Sequence, residues 1–154
     1  MVAATRVYEV DVHSYVLMTN HYHLVVTASG CKVLAAAMAE INRGYAVYFN
    51  GKYDRFGPLW NGRYGAQLLD SHRYALTCLR YVEVNPLRAG IVGDAKNYPW
   101  SSYRVHAHGE SSDWLTPHPC YLALGLDAPS RQSAYRNLCA VPLTDAEFPR
   151  RRRH

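Results

Sequence analysis

From Val10 to Met18 the chain alternates, with Val10, Val12, Ser14, Val16 and Met18 on one side and Asp11, His13, Tyr15 and Leu17 on the other. A period of two predicts a strand of about nine residues. Thr19 and Asn20 supply turn chemistry and "HYHLVV" returns as a second strand, so the pair reads as an antiparallel hairpin. After "TASGC" the period becomes three and four, placing Leu34, Met38, Ile41, Tyr45, Tyr48 and Phe49 on one stripe. That spacing predicts an amphipathic helix of about five turns. Glycine and proline interrupt "RFGPLWNG", and "RYGAQLLD" then reads as a short strand. In "DSHRYALTCLRYVEVNP" the helical period resumes, with Asp70 or Ser71 as cap and Pro86 as the stop just beyond Asn85.

The remainder is looser. "LRAGIVGDAKNYPWSSYR" is rich in turn residues, and its Trp100 and Tyr103 are expected to fold back on the core. "AHGESSD" reads as a loop, "PSRQSAYRNLCAV" as a short helix capped by Ser130, and the terminal arginine run as disordered. There are no internal repeats and no low-complexity tracts.

Composition narrows the class. With 154 residues, 49% of them apolar and 19% charged, the chain suits one globular domain with a real core. No window approaches 18 consecutive apolar residues, and "MVAATRVYEVDVHS" lacks the basic-then-apolar layout of a signal peptide. A cytoplasmic protein with no membrane partner is the expectation. Cys31, Cys78, Cys120 and Cys139 form no C-x-x-C pair, which argues against a zinc ribbon or a redox motif and for reduced, structural thiols.

Charge adds a partner class once it is divided along the sequence. Residues 1 to 30 carry −1, residues 31 to 104 carry +5, residues 105 to 149 carry −3, and the final "RRRRH" adds +4. The basic middle segment fits a polyanion.

Chemistry enters with His21 and His23. Residues i and i+2 of a strand share a face with Cα atoms about 6.5 to 7 Å apart, so both imidazoles can reach one ion from a rigid element while Tyr22 points the other way. Two half-exposed histidines on a sheet is the plainer alternative. On the second long helix Tyr81 and Asn85 lie one turn apart and about 40° around, with Glu83 turned away. Tyr81 reads either as a partner for whatever the histidines hold or as a core aromatic beside Leu79 and Val82.

Taken in order, "YVLMTNHYHLVV", "RGYAVYFN", "GPLWNGRY", "LRYVEVNPLRAGIV" and "YPWSSY" resemble the blocks of the HUH single-tyrosine transposases, in particular the REP-associated tyrosine transposases and their insertion-sequence relatives. The resemblance implies an α+β, ferredoxin-like antiparallel sheet with helices on one face. It spans a transposase-like domain over residues 1 to 104, followed by a C-terminal extension over 105 to 154 with a short helix and a basic tail. It also implies a strand and a helix before the hairpin. Only about nine residues precede it here, too few for both, so the first strand and helix are expected to be missing and the chain to be either a homodimer that shares sheet edges or a poorly folded, aggregation-prone monomer.

The resemblance makes His21 and His23 metal ligands, with Tyr22 as the middle residue of the H-hydrophobe-H motif. Tyr81 becomes the nucleophile and Asn85 completes the metal shell. Arg63 and Arg80 read either as phosphate contacts or as plain surface charges. The implied cofactor is Mg²⁺ or Mn²⁺, and two imidazoles suit Mn²⁺ better. The implied reaction is cleavage of single-stranded DNA beside a REP-like hairpin through a 5′-phosphotyrosine, which needs no carboxylate pair to activate water. Exposed tyrosines would stack on unpaired bases. Two other readings stay open: a hairpin-binding protein without cleavage, and a decayed or truncated transposase fragment.

Overall fold

Residues 1–143 are described by a computed structural model; the arginine run expected to be disordered lies outside them. Six helices and one antiparallel two-stranded sheet make the chain α+β among the described residues. Contacts divide it into two units, Met1–Val12 with Val26–Leu68, and His13–Val25 with Leu69 onward.

The hairpin forms where alternation placed it, with β1 at Asp11–Leu17 and β2 at Tyr22–Thr27. The Met18 N–H donates to the His21 carbonyl at 2.8 Å and closes the turn over Thr19 and Asn20. Where too few residues precede the hairpin for both a strand and a helix, Val2–Val7 form a six-residue helix, α1.

In the first unit α1 packs on α2 (Cys31–Lys52). Ala4, Thr5, Val10, Val12, Ala37, Met38 and Ile41 are the buried residues there. The apolar stripe of α2 therefore enters a core only in its first half. Tyr45 is 47% exposed and Tyr48 56% exposed, a departure from the continuous buried face that periodicity predicts. Beyond α2 the chain turns back on it. The Trp60 indole N–H donates to the Asn42 carbonyl at 2.8 Å, and Asn50 Nδ2 donates to the Gly57 carbonyl at 2.9 Å. "RYGAQLLD" is not a strand. Leu68 within it is 87% exposed, and alternation without a neighbouring strand to pair with does not hold a segment extended in a sheet.

The second unit is built around α3 (His72–Arg88), capped by the Ser71 side chain, which accepts from the Tyr74 N–H. Asp70 is not its cap. Pro86 does not stop the helix either. Its ring is fully buried, and this packing accompanies the loss of one backbone bond to Val82. The stop is Gly90, at φ 68°, where Gly90 N–H bonds to the Leu87 carbonyl and Ile91 N–H to the Pro86 carbonyl, the two bonds of a Schellman closure. Around α3 lie a 3₁₀ turn (Ala95–Asn97), α4 (Tyr103–His108), α5 (Pro119–Leu122) and α6 (Ala128–Ala140). Helix α6 starts on Asp127 rather than Ser130. Ser130 is the third helical residue, completing a capping box with Asp127.

The core of this unit gathers Val16, Val25, Ala75, Leu79, Val82, Tyr98, Tyr103, Tyr121 and Tyr135. Tyr103 thus folds inward as expected, whereas Trp100 is 61% exposed. Trp100 serves through its backbone, its carbonyl accepting from the Leu17 N–H at 2.8 Å. Two neighbouring bonds also reach β1, one from a side chain and one from the backbone: Tyr98 hydroxyl to the Leu17 carbonyl at 2.6 Å and Ser102 N–H to the Tyr15 carbonyl at 3.0 Å. A bridge joins Val16 to Ser101. "YPWSSY" is therefore the segment that satisfies the second edge of β1.

Among the described residues no helix is long and apolar enough to cross a membrane.

Candidate active site

His21 stands just before β2 and His23 one residue inside it, with Tyr22 between them. The two imidazole rings are 5.0 Å apart, centre to centre, and nearly perpendicular. With metal–nitrogen bonds of about 2.1 Å, two imidazoles on one ion would have ring centres roughly 4.6 to 5.3 Å apart, a range that includes the separation seen here. His21 is exposed and His23 half-buried. His21 Nδ1 lies 2.7 Å from Asn20 Oδ1. A proton on Nδ1 makes that hydrogen bond and leaves the lone pair on Nε2, which is how an outer carbonyl fixes the tautomer of a ligating histidine.

The next ring is Tyr81 of α3. It is half-buried and sits 5.9 Å from the His23 ring at 72°. Asn85 follows one turn later on the same side of the helix, also half-buried. Arg88 comes one turn after that, its guanidinium 4.9 Å from the Tyr81 ring centre. Arg88 is not among the residues that the motif pattern singles out, although its sequence signal is legible: seven residues is two helical turns, so it must share the Tyr81 face.

The rotation of α3 that turns Tyr81 toward His23 is fixed from its opposite side. Glu83 is wholly buried there. It accepts from the Ser102 hydroxyl, from Tyr135 at 2.7 Å, and from His106 Nδ1 at 2.7 Å. Ser102 in turn accepts from the Tyr15 N–H at 2.9 Å, so one carboxylate ties α3 to β1, α4 and α6. Burial, followed by the neighbouring Glu83 charge, holds the Tyr135 hydroxyl well above the ordinary phenol range. It stays a donor.

The two arginines expected at phosphates fall differently. Arg63 is exposed, in the first unit. Arg80 is only 8% exposed and donates to the Val141 carbonyl at 2.9 Å. Its position next to Tyr81 in sequence turns it about 100° away along the helix, toward the packed side.

Among the described residues no group of three histidines, cysteines or carboxylates is arranged to hold a metal; the side chains that could contribute to holding a cation here are His21, His23 and Asn85. That set would take Mn²⁺ more readily than Mg²⁺, which holds more strictly to oxygen. Its neutrality leaves the cation's charge available to a phosphate.

A family model described as "Transposase IS200 like" matches residues 2–85, a stretch that holds His21, His23, Tyr81 and Asn85. No curated protein and no solved structure matches the chain. The matched stretch is more than half of the sequence and contains both the hairpin and nearly all of α3, so the chain belongs to the IS200-like transposase family.

Proposed function

We propose that the protein cleaves and rejoins single-stranded DNA beside a hairpin, with Tyr81 as the nucleophile and His21, His23 and Asn85 as the metal shell. The observation that carries this reading is the unbroken run of rings from His21 to His23 to Tyr81, at 5.0 and 5.9 Å, closed by the Arg88 guanidinium over Tyr81.

The Tyr81 hydroxyl oxygen attacks the phosphorus of a phosphodiester in line. A tyrosyl O–P bond forms, the P–O3′ bond breaks, and the departing 3′ oxygen takes up a proton as the tyrosyl oxygen loses its own. The products are a 5′-phosphotyrosine and a free 3′-hydroxyl. No water is consumed, so the bond energy is kept for the return attack by a 3′-hydroxyl. Arg88 favours the phenolate character that develops on Tyr81 as its proton leaves and adds positive charge beside the phosphate. A divalent cation, when bound by His21, His23 and Asn85, supplies Lewis-acid stabilisation of the phosphate oxygens. The hairpin requirement and its REP-like character rest on the resemblance of the ordered motifs. A second copy would extend the sheet at β2, which among the described residues pairs with β1 alone.

The test is covalent capture. With Mn²⁺ and an oligonucleotide carrying a single-stranded flank beside an imperfect hairpin, the wild-type chain shifts to a DNA-linked band on a denaturing gel. Tyr81→Phe removes that band and keeps binding within about twofold. An adduct that persists in Tyr81→Phe assigns the attack elsewhere; binding with no adduct in the wild type favours a hairpin-binding protein that does not cleave.

A further inference from the structure

We infer that the C-terminal half of α2 and the turn after it form a stacking platform for single-stranded DNA, in which Tyr45, Tyr48, Tyr53 and Phe56 receive unpaired bases and Lys52 and Arg55 meet the phosphates. The choice of DNA rests on the function proposed above; the surface itself stands on its own geometry.

The stripe that periodicity marks as core leaves the core after Ile41. Tyr45, Tyr48, Tyr53 and Phe56 are 47%, 56%, 55% and 92% exposed. Tyr45 and Tyr48 lie one turn apart on α2, and Tyr53 and Phe56 follow in the turn beyond its end. The rings are ordered against one another rather than scattered. Tyr45 lies 5.9 Å from Phe49, Phe49 lies 4.5 Å from Tyr53, and Trp60 closes the row 5.7 Å from Tyr45. Phe49 and Trp60, both half-buried, anchor the exposed rings from beneath.

Cations are interleaved with the rings. Lys52 Nζ is 5.6 Å from the Tyr48 ring centre and 5.5 Å from that of Tyr53, and Arg55 is 5.7 Å from Phe49. From Ile41 to Tyr64 the chain holds four basic residues and one acidic residue, Asp54. That balance selects the occupant. A second copy of the same face would set one net positive surface against another, a repulsive arrangement for a two-fold contact. A membrane would take up the aromatics and cations without distinguishing base from backbone. A single strand offers both features at once: flat π-faces for the rings and a phosphate between successive bases for the cations. A duplex hides its base faces and could use only the cations.

Binding is measured with the full wild-type chain and a fluorescein-labelled oligothymidylate in metal-free buffer, where cleavage does not enter the readout. Each of Tyr48→Ala, Tyr53→Ala and Phe56→Ala is expected to weaken binding about tenfold, with the thermal midpoint unchanged because these rings are exposed. Lys52→Gln and Arg55→Gln are each expected to flatten the slope of log affinity against log salt by about 0.7. Affinity for a blunt duplex stays constant across the aromatic variants. Unchanged oligothymidylate affinity in all three aromatic variants overturns the proposal. So does a parallel loss for the duplex. Conversion of a dimer to a monomer with DNA binding intact also overturns it, and reassigns the face to contact between copies. Because the readout is non-covalent, a failure here is separable from a failure of Tyr81 to form an adduct.

Discussion

His21 differs from His23 in what surrounds it, and the difference is testable at the level of single side chains. The His21 ring is exposed and steered by Asn20, while His23 is half-buried between His21 and Tyr81. Replacing His21 with alanine is expected to cost under about 0.5 kcal/mol of stability, as exposed substitutions do. Its effect on Mn²⁺ affinity, measured by calorimetry, is a loss larger than the roughly tenfold expected for Asn20→Ala, which only frees the ring. Identical Mn²⁺ affinity in wild type, Asn20→Ala and His21→Ala would remove the histidine pair from the metal shell. The pair is legible in the sequence because a strand period of two is rigid. Arg80 and Arg88 are harder to sort from sequence alone. Both are cations on α3, and which of them faces Tyr81 depends on a rotation of about 100° per residue that pattern reading assigns to apolar residues first.

At the scale of elements, the hairpin, α2 and α3 are legible because long runs of one period leave few alternatives. The endings are less so. Pro86 is a stop signal in isolation, yet its buried ring belongs to the core, and the helix ends where Gly90 can adopt a positive φ. Ser130 and Asp127 are equally good caps by type, and only the hydrogen bonds decide between them. "RYGAQLLD" alternates as a strand does, but a strand is an agreement between two segments and the described residues supply no second one. The network that fixes α3 is the least legible of all. Glu83 reads only as turned away from the site, whereas Ser102, His106 and Tyr135 converge on it, and Ser102 ties it to β1. Glu83→Ala is expected to leave Ser102, His106 and Tyr135 without their acceptor and to cost about 3 kcal/mol or more. That corresponds to a thermal midpoint lower by about 10 °C for a chain of this size. A midpoint within 2 °C of wild type would show that the network contributes little to holding α3.

At the scale of the whole molecule, pH is expected to act through the cluster of His13, His72 and His118. His118 caps α5, its Nδ1 accepting from the Cys120 N–H at 3.2 Å, with the His13 ring at 4.8 Å and the His72 ring at 6.4 Å. Burial first, then the His13 and His72 charges, lowers its pKa below the usual 6.5. A folded-state pKa below the unfolded value means that the unfolded chain binds the proton more readily, so the contribution is present above about pH 6.5 and is lost as pH falls through the folded value. Thermal melts between pH 7.5 and 5.5 are expected to show a falling midpoint, and His118→Gln to flatten the fall. Parallel curves for the two proteins would place the sensitivity in another group.

With Tyr81 as the nucleophile, it alone of the thirteen tyrosines is expected to carry the DNA. Proteolysis of the covalent complex followed by tandem mass spectrometry of the nucleotide-bearing peptide tests it most directly. One modified peptide spanning "YVEVNPLR" is expected, with the nucleotide mass on Tyr81. A nucleotide mass on any other residue, or an equal spread over several tyrosines, would contradict it.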